Sequence, residues 1–151
     1  EVPRWDQPLM ADGTGEEAVL LAQELDGVLH FLFGARPEPG FGATCQYGPS
    51  LQGVPGGNPL MPAAQREAEL ALAEVSAGAE EMAGCRQSDE GGRFYRCDVR
   101  YRIRRLEPGT LVPDGGHLAW LSLGQVERLV RRQDFFTNEA RSLISMLLAM
   151  A

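Results

Sequence analysis

The pattern of apolar and polar positions suits a strand through residues 16–26 and again through 28–36. The Asp26-Gly27 step between them is the strongest short-range hairpin signal, so the pattern predicts two antiparallel strands. In the second run Leu29, Phe31 and Phe33 fall on one face, and Val28, His30, Leu32 and Arg36 on the other. That spacing predicts one core face and one lined surface. After a Pro/Gly turn over 37–42, residues 43–52 read as a third strand, with Gln46 facing away from Cys45 and Tyr47. Residues 53–62 read as an irregular loop able to act as a lid. The Ala- and Glu-rich residues 63–84 predict one helix, with Leu70, Leu72, Val75 and Met82 as its core contacts. A loop over 86–92 precedes a strand over 92–106. There Tyr95, Cys97, Val99, Tyr101 and Ile103 alternate with Phe94, Arg96, Asp98, Arg100, Arg102 and Arg104. One apolar and one ionic face predict an antiparallel strand solvated on one side.

The C-terminal third is the most rule-bound stretch. Ser122 followed by Gln125 is a capping box, which starts a helix whose apolar face is Val126, Leu129 and Val130. Residues 134–137 break it, and Thr137 caps a second helix. Its Ala140, Leu143, Ile144, Leu147 and Leu148 form a wide apolar stripe at helical spacing. Two short helices packed through these stripes seal one side of the sheet. Strands, helix, strand and two helices add up to an α+β fold, and 151 residues fit a single domain, 1–151.

Composition narrows the classes. A hydrophobic fraction of 44% with 23% charged residues suits a soluble globular domain. A net charge of -7 argues against general attraction to nucleic acid. All 14 basic residues are Arg, a bias typical of a GC-rich genome such as an actinobacterium's. Cys45, Cys85 and Cys97 show no C-x-x-C spacing, so neither a disulfide framework nor a metal site is expected. No apolar run reaches membrane-spanning length and no leader pattern stands at the start, so a cytoplasmic location is expected.

Several short stretches, in order along nearly the whole chain, resemble the NDP-hexose 2,3-dehydratase family of deoxysugar biosynthesis. They are Trp5-Asp6-Gln7-Pro8; Gly27 with His30-Phe31-Leu32 and Glu38-Pro39-Gly40; and Gln46 with Gly48-Pro49-Ser50-Leu51-Gln52. Further along come Ser88-Asp89-Glu90-Gly91 with Arg93-Phe94, then Trp120-Leu121-Ser122-Leu123-Gly124-Gln125, and last Glu139-Ala140-Arg141-Ser142. The resemblance implies a Nudix-like module with a mixed or antiparallel, partly barrel-like sheet packed by helices. It also implies removal of the C2 hydroxyl from a nucleotide-linked 4-keto sugar, and pairing of modules, here as a homodimer. Two stretches depart from the family's pattern. Gly53-Val54-Pro55-Gly56-Gly57 stands where the family has a polar segment, and Arg96-Cys97-Asp98-Val99-Arg100 where it has a basic, Asn-containing one. The family carries two such modules in tandem, against one here.

A 2,3-elimination needs a base for the proton beside the ketone and an acid for the departing hydroxyl. His30, Glu38 and Tyr95 are the catalytic candidates, with Tyr47, Asp98, Tyr101 and Glu139 also able to move protons. Glu38 lies in a turn at a strand end, where catalytic groups often sit. Gln46, Gln52, Tyr47, Tyr101, Arg100 and Trp120 are the candidates for contacting a small-molecule substrate. The Arg-rich strand face offers phosphate contacts, while solvation or a subunit contact is the usual explanation of such a face. Glu139 and Arg141 suit the first turn of a helix without any catalytic role. No cofactor motif is present and no cofactor or metal is expected. Three functions stay open. One is a repurposed module guiding dehydration, isomerisation or cyclisation of a largely apolar, polyketide-type intermediate. The second is dehydration of an NDP-4-keto-6-deoxyhexose by a homodimer. The third is a non-catalytic partner module.

Overall fold

The computed structural model describes residues 8–11, 16–42, 45–88, 93–114 and 116–150. Expectations resting on Trp5, Gln7, Ala43, Thr44 and residues 89–92 lie outside the described residues. The element order is β1 (Glu16–Leu25), β2 (Val28–Arg36), β3 (Gln46–Gly48), β4 (Leu51–Gln52), α1 (Ala63–Ala77), β5 (Glu80–Ser88), β6 (Asp98–Arg105), β7 (Leu118–Ser122), α2 (Leu123–Leu129) and α3 (Asn138–Met150). The seven strands form one mixed sheet, β3-β2-β1-β6-β5, with β4 also on β1 and β7 also on β2. The β1–β2 hairpin forms as its turn residues dictate. Asp26 and Gly27 both take positive φ, 50° and 77°, the backbone that a tight two-residue turn requires.

The two hairpin strands then part. β1 and β2 pair from Leu25↔Val28 to Leu21↔Leu32. Beyond that point β1 continues on β4 at Val19↔Leu51, and β2 continues on β3 at Gly34↔Gly48. Ser50 sits in the crotch, 2% exposed. Its hydroxyl accepts from the Leu21 N–H (2.8 Å) and donates to the Leu32 carbonyl (2.5 Å), so the last ladder groups are satisfied through one side chain. The expected third strand over 43–52 is therefore two short strands on opposite prongs, divided at Pro49-Ser50.

Both sheet faces are buried, which corrects the expectation of one lined surface on β2. Phe31 and Phe33 join Ala18, Leu20, Tyr101 and Ile103 under α2 and α3, which contribute Val126, Ala140, Leu143, Ile144 and Leu147. On the other face Leu32 packs with Val19, Leu21, Leu51, Leu106 and Leu72 of α1. The capping box forms, with the Ser122 N–H donating to Gln125 Oε1 at 2.8 Å. Thr137 Oγ1 accepts from the Ala140 N–H at 3.2 Å, so it caps α3 as expected. Leu148 stays exposed, the stripe ending at Leu147.

Three expectations fail for tertiary reasons. The helix over 63–84 stops at Gly78. Residues 80–88 instead pair with β6 from Glu80↔Arg105 to Ser88↔Asp98, and this ladder overrides the helix preference of Glu, Ala and Met. Leu70 faces solvent, and α1 buries Ala68, Glu69, Leu72 and Ser76. The strand over 92–106 begins only at Asp98, because Arg96 takes φ 53° and breaks the alternation. β6 also runs parallel to β1, not purely antiparallel. Arginines on both faces of β6 are engaged by neighbouring groups, while Arg100 stays half-exposed. Arg102 pairs with Glu81 and with Glu17 (3.3 Å), Arg104 donates to the Ser76 carbonyl (2.9 Å), and Arg105 pairs with Glu24 (3.2 Å). No helix among the described residues is long and apolar enough to cross a membrane.

The fork gives the first prediction. Ser50→Ala leaves a buried N–H and a buried carbonyl without partners, each costing about 1–3 kcal/mol. Urea denaturation should show a loss of about 2–4 kcal/mol. Ser145→Ala, which removes only an exposed hydroxyl bond to the Arg141 carbonyl, should stay within about 0.5 kcal/mol.

Candidate active site

At the open end of the fork the chain builds a cavity of about 320 Å³, lined by Glu38, Phe41, Gln46, Asp134, Phe136, Asn138, Glu139 and Arg141. Three elements supply it. Glu38 follows Arg36-Pro37 at the end of β2, in a turn where Gly40 takes φ 92°. Gln46 opens β3, paired with Arg36. Phe136 to Arg141 come from the start of α3. A parallel bridge holds that start against β3: the Tyr47 N–H donates to the Phe135 carbonyl (2.8 Å), and the Thr137 N–H to the Tyr47 carbonyl (3.0 Å). Arg141 is anchored where it enters the cavity wall, its Nε donating to the Phe136 carbonyl at 3.2 Å.

Three carboxyls, Glu38, Asp134 and Glu139, therefore line one small, largely polar space. Glu38, half-buried, is pushed above its ordinary value of 4.5, first by burial and then by the charge of Glu139. Arg36, whose Nε lies 3.7 Å from Glu38 Oε1, opposes the shift without cancelling it, and Glu16 adds to it. A carboxyl whose proton affinity is raised, with a second carboxyl beside it, has the outline of an acid–base pair.

The sequence pattern of the NDP-hexose 2,3-dehydratase family matches residues 1–147. The chain belongs to this family. It is 32% identical over 149 residues to a dTDP-4-dehydro-6-deoxy-alpha-D-glucopyranose 2,3-dehydratase of Saccharopolyspora spinosa, covering 97% of this chain and 30% of that protein. A protein of the same description from Amycolatopsis orientalis is 30% identical over 147 residues, covering 97% and 31%. The chain thus spans about a third of the length of the curated relatives it matches. Among solved structures it is similar to a C. elegans Ap4A hydrolase, with a TM-score of 0.54 and 16% identity, covering 93% of this chain and 98% of that one. It is also similar to a Nudix hydrolase from M. smegmatis, RenU, with a TM-score of 0.50 and 16% identity, covering 91% and 87%. At such identities the likeness shows the fold, which is Nudix-like.

Three of the stretches that carry the family resemblance meet at the cavity, through Glu38, Gln46 and the pair Glu139 and Arg141. The other candidates lie elsewhere. His30 is near the opposite end of β2, six residues from Arg36 and so roughly 20 Å away at ~3.3 Å per residue. Its Nδ1 lies 2.9 Å from the Val28 carbonyl. Tyr95 is 52% exposed, with the Arg96 guanidinium 5.3 Å from its ring centre, and is neither core nor cavity wall. Tyr101 is in the core beneath α3, and Tyr47 stacks on Phe135 at 5.3 Å beside the cavity. Arg100 is on the exposed side of β6, 3.9 Å from Glu17, and Asp98 pairs with Arg86 at 3.3 Å. Trp120 packs, half-buried, on the α1 face. Gln52 lies beside Ala18 with its Oε1 buried and without a hydrogen-bond partner. A second cavity of about 380 Å³, between β1, β4, β6 and α1, contains one acid, Glu17, which already pairs with Arg102. It offers no acid–base pair.

Sequence reasoning took Glu139 and Arg141 for helix-end residues, and their helix-end position is real. What it lacked was the bridge from β3 that carries this helix end to Glu38. It also missed Arg36 and Glu69, although Glu69 at i-3 from Leu72 and i-7 from Ser76 is a charge set within a buried helical stripe.

The raised Glu38 carboxyl has a consequence for stability. The folded protein holds this proton to higher pH than the unfolded chain, so the contribution is present below the ordinary carboxylate range. It is lost as pH rises through the folded-state value. Glu38→Gln removes the dependence. Urea titrations from pH 4.5 to neutrality should show wild type losing stability relative to Glu38→Gln as pH rises. A constant difference across that window would contradict the assignment.

Proposed function

We propose that this module carries out the 2,3-dehydration of a nucleotide-linked 4-keto-6-deoxyhexose, with Glu38 and Glu139 as its acid and base. The observation that carries the reading is the meeting of Glu38, Gln46, Glu139 and Arg141, from three family-like stretches, at one cavity. In this reaction the Glu139 carboxylate takes the C3 proton next to the C4 ketone. The C3–H electrons form the C2–C3 double bond, and the C2–O bond breaks as neutral Glu38 donates a proton, releasing water. Charge developing on the C4 oxygen is met by Gln46 and by the guanidinium of Arg141. The polar wall favours a sugar over a largely apolar, polyketide-type intermediate, and the paired carboxyls favour catalysis over a purely supporting role.

Purified protein incubated with dTDP-4-keto-6-deoxyglucose should yield a product lighter by one water in mass spectrometry. Glu38→Gln and Glu139→Gln should each lower kcat by about 10²–10⁴-fold with KM little changed. Asp98→Asn, outside the cavity, should keep wild-type turnover. Undiminished turnover in both carboxyl variants, or no calorimetric binding of the sugar nucleotide at millimolar concentration, would sink the reading.

A further inference from the structure

The cavity wall has a second layer that the reaction scheme leaves unused. Behind Glu38, Arg36 is 5% exposed and Glu69 of α1 is 2% exposed. Arg36 Nη1 donates to Glu69 Oε1 at 2.5 Å, and Glu69 Oε2 accepts from the Gly56 N–H at 3.0 Å, so both oxygens of this carboxylate are engaged. The stem of Arg36 runs over Gly48, where an added Cβ would lie 2.5 Å from Arg36 Cδ. The guanidinium is thus gripped by β2, β3 and α1 together. One donor is left over: Arg36 Nε is buried without a hydrogen-bond partner, with Glu38 Oε1 3.7 Å away.

We infer that Arg36 is a positioning residue for Glu38, clamped from behind by Glu69 so that its spare Nε edge faces the Glu38 carboxyl. The pair is too buried and too specific for an incidental surface ion pair. Charges withdrawn from water this far persist only when geometry and further hydrogen bonds compensate, and here one nitrogen is held back. A half-ångström to one-ångström approach would turn the 3.7 Å contact into a charge-assisted hydrogen bond. Arg36 therefore holds Glu38 in the cavity and limits how far burial raises its affinity for a proton. Glu69, by sharing the positive charge of Arg36, sets how strongly it does so.

Other charges bear on Glu38 from each side. They are Glu139 and Arg141 of α3, Glu16 of β1 and Asp134 of the turn before α3, with neutral Gln46 on β3. None of these is altered by changes at positions 36 and 69, which makes the clamp separable. The inference rests on the assignment of Glu38 to the cavity chemistry but is tested without substrate.

The test follows the side-chain carboxyl carbon of Glu38 by NMR through a pH titration of the whole chain. Arg36→Gln should move the Glu38 midpoint upward, because an attractive cation is gone. Glu69→Gln should move it downward, because Arg36 then has only Glu38 to pair with. Opposite directions are the signature, since a packing defect has no reason to split in sign. If the single variants fail to fold, Arg36→Met combined with Glu69→Met removes both charges at similar volume and should reproduce the upward movement. Midpoints unchanged in these variants, or moved in the same direction by Arg36→Gln and Glu69→Gln, overturn the inference. Turnover tells the two readings apart. A protein that dehydrates the sugar nucleotide but shows an immobile Glu38 midpoint loses the clamp and keeps the function. A midpoint that splits in sign without turnover keeps the clamp and removes the function.

Discussion

One hydroxyl holds the architecture open. Where β1 and β2 separate, two backbone groups in the middle of the domain lose their ladder partners, and the Ser50 side chain serves both. Buried backbone groups without partners are costly, so the fork is stabilised by this substitute. All that matters for the cavity lies beyond the fork. β3 follows the β2 prong, so Gln46 comes opposite Arg36, and α3 docks on the free edge of β3. A hairpin paired along its full length would leave β3 no edge on β2 at this end.

The electrostatics follow from that geometry. The chain carries a net charge of -7, and it brings Glu38, Glu139 and Glu16 near one another at the same end of the sheet. Left alone, such a cluster would push protons onto its members or push the elements apart. Arg36 supplies the balancing charge, but from a buried position that itself needs Glu69 and the Gly56 N–H. Breaking a buried pair of this kind typically costs about 3–5 kcal/mol. Stability and acid–base character are therefore linked through the same guanidinium.

Local rules were readable in the residues where local physics decides. Asp26-Gly27 made its turn, Ser122 and Gln125 made their box, Thr137 capped α3, and the stripe from Ala140 to Leu147 went inward. Failures came where a distant partner decides. Residues 80–84 have helical composition but meet the edge of β6, and Arg96 abandons a clean alternation for a turn. For the site, Glu38 and Gln46 were legible as polar groups at a strand end and a strand start. His30 and Tyr95 were not separable from them, because a single strand's pattern carries no information on which end faces another element. Glu139 needed the bridge to β3, a contact between residues nearly ninety positions apart that leaves no periodic trace.

That bridge also makes the two sides of the cavity mechanically unequal. Gln46, Phe136 and Glu139 are tied to one another by a pair of backbone hydrogen bonds at Tyr47 and to the core beneath them. Glu38 instead rides on the short turn after Pro37, held by a long bond from the Phe41 N–H to the Glu38 carbonyl at 3.4 Å and by the Asn58 side-chain amide donating to the Pro37 carbonyl at 3.1 Å. The separation of the Glu38 and Glu139 carboxyls therefore depends on the turn that follows Pro37.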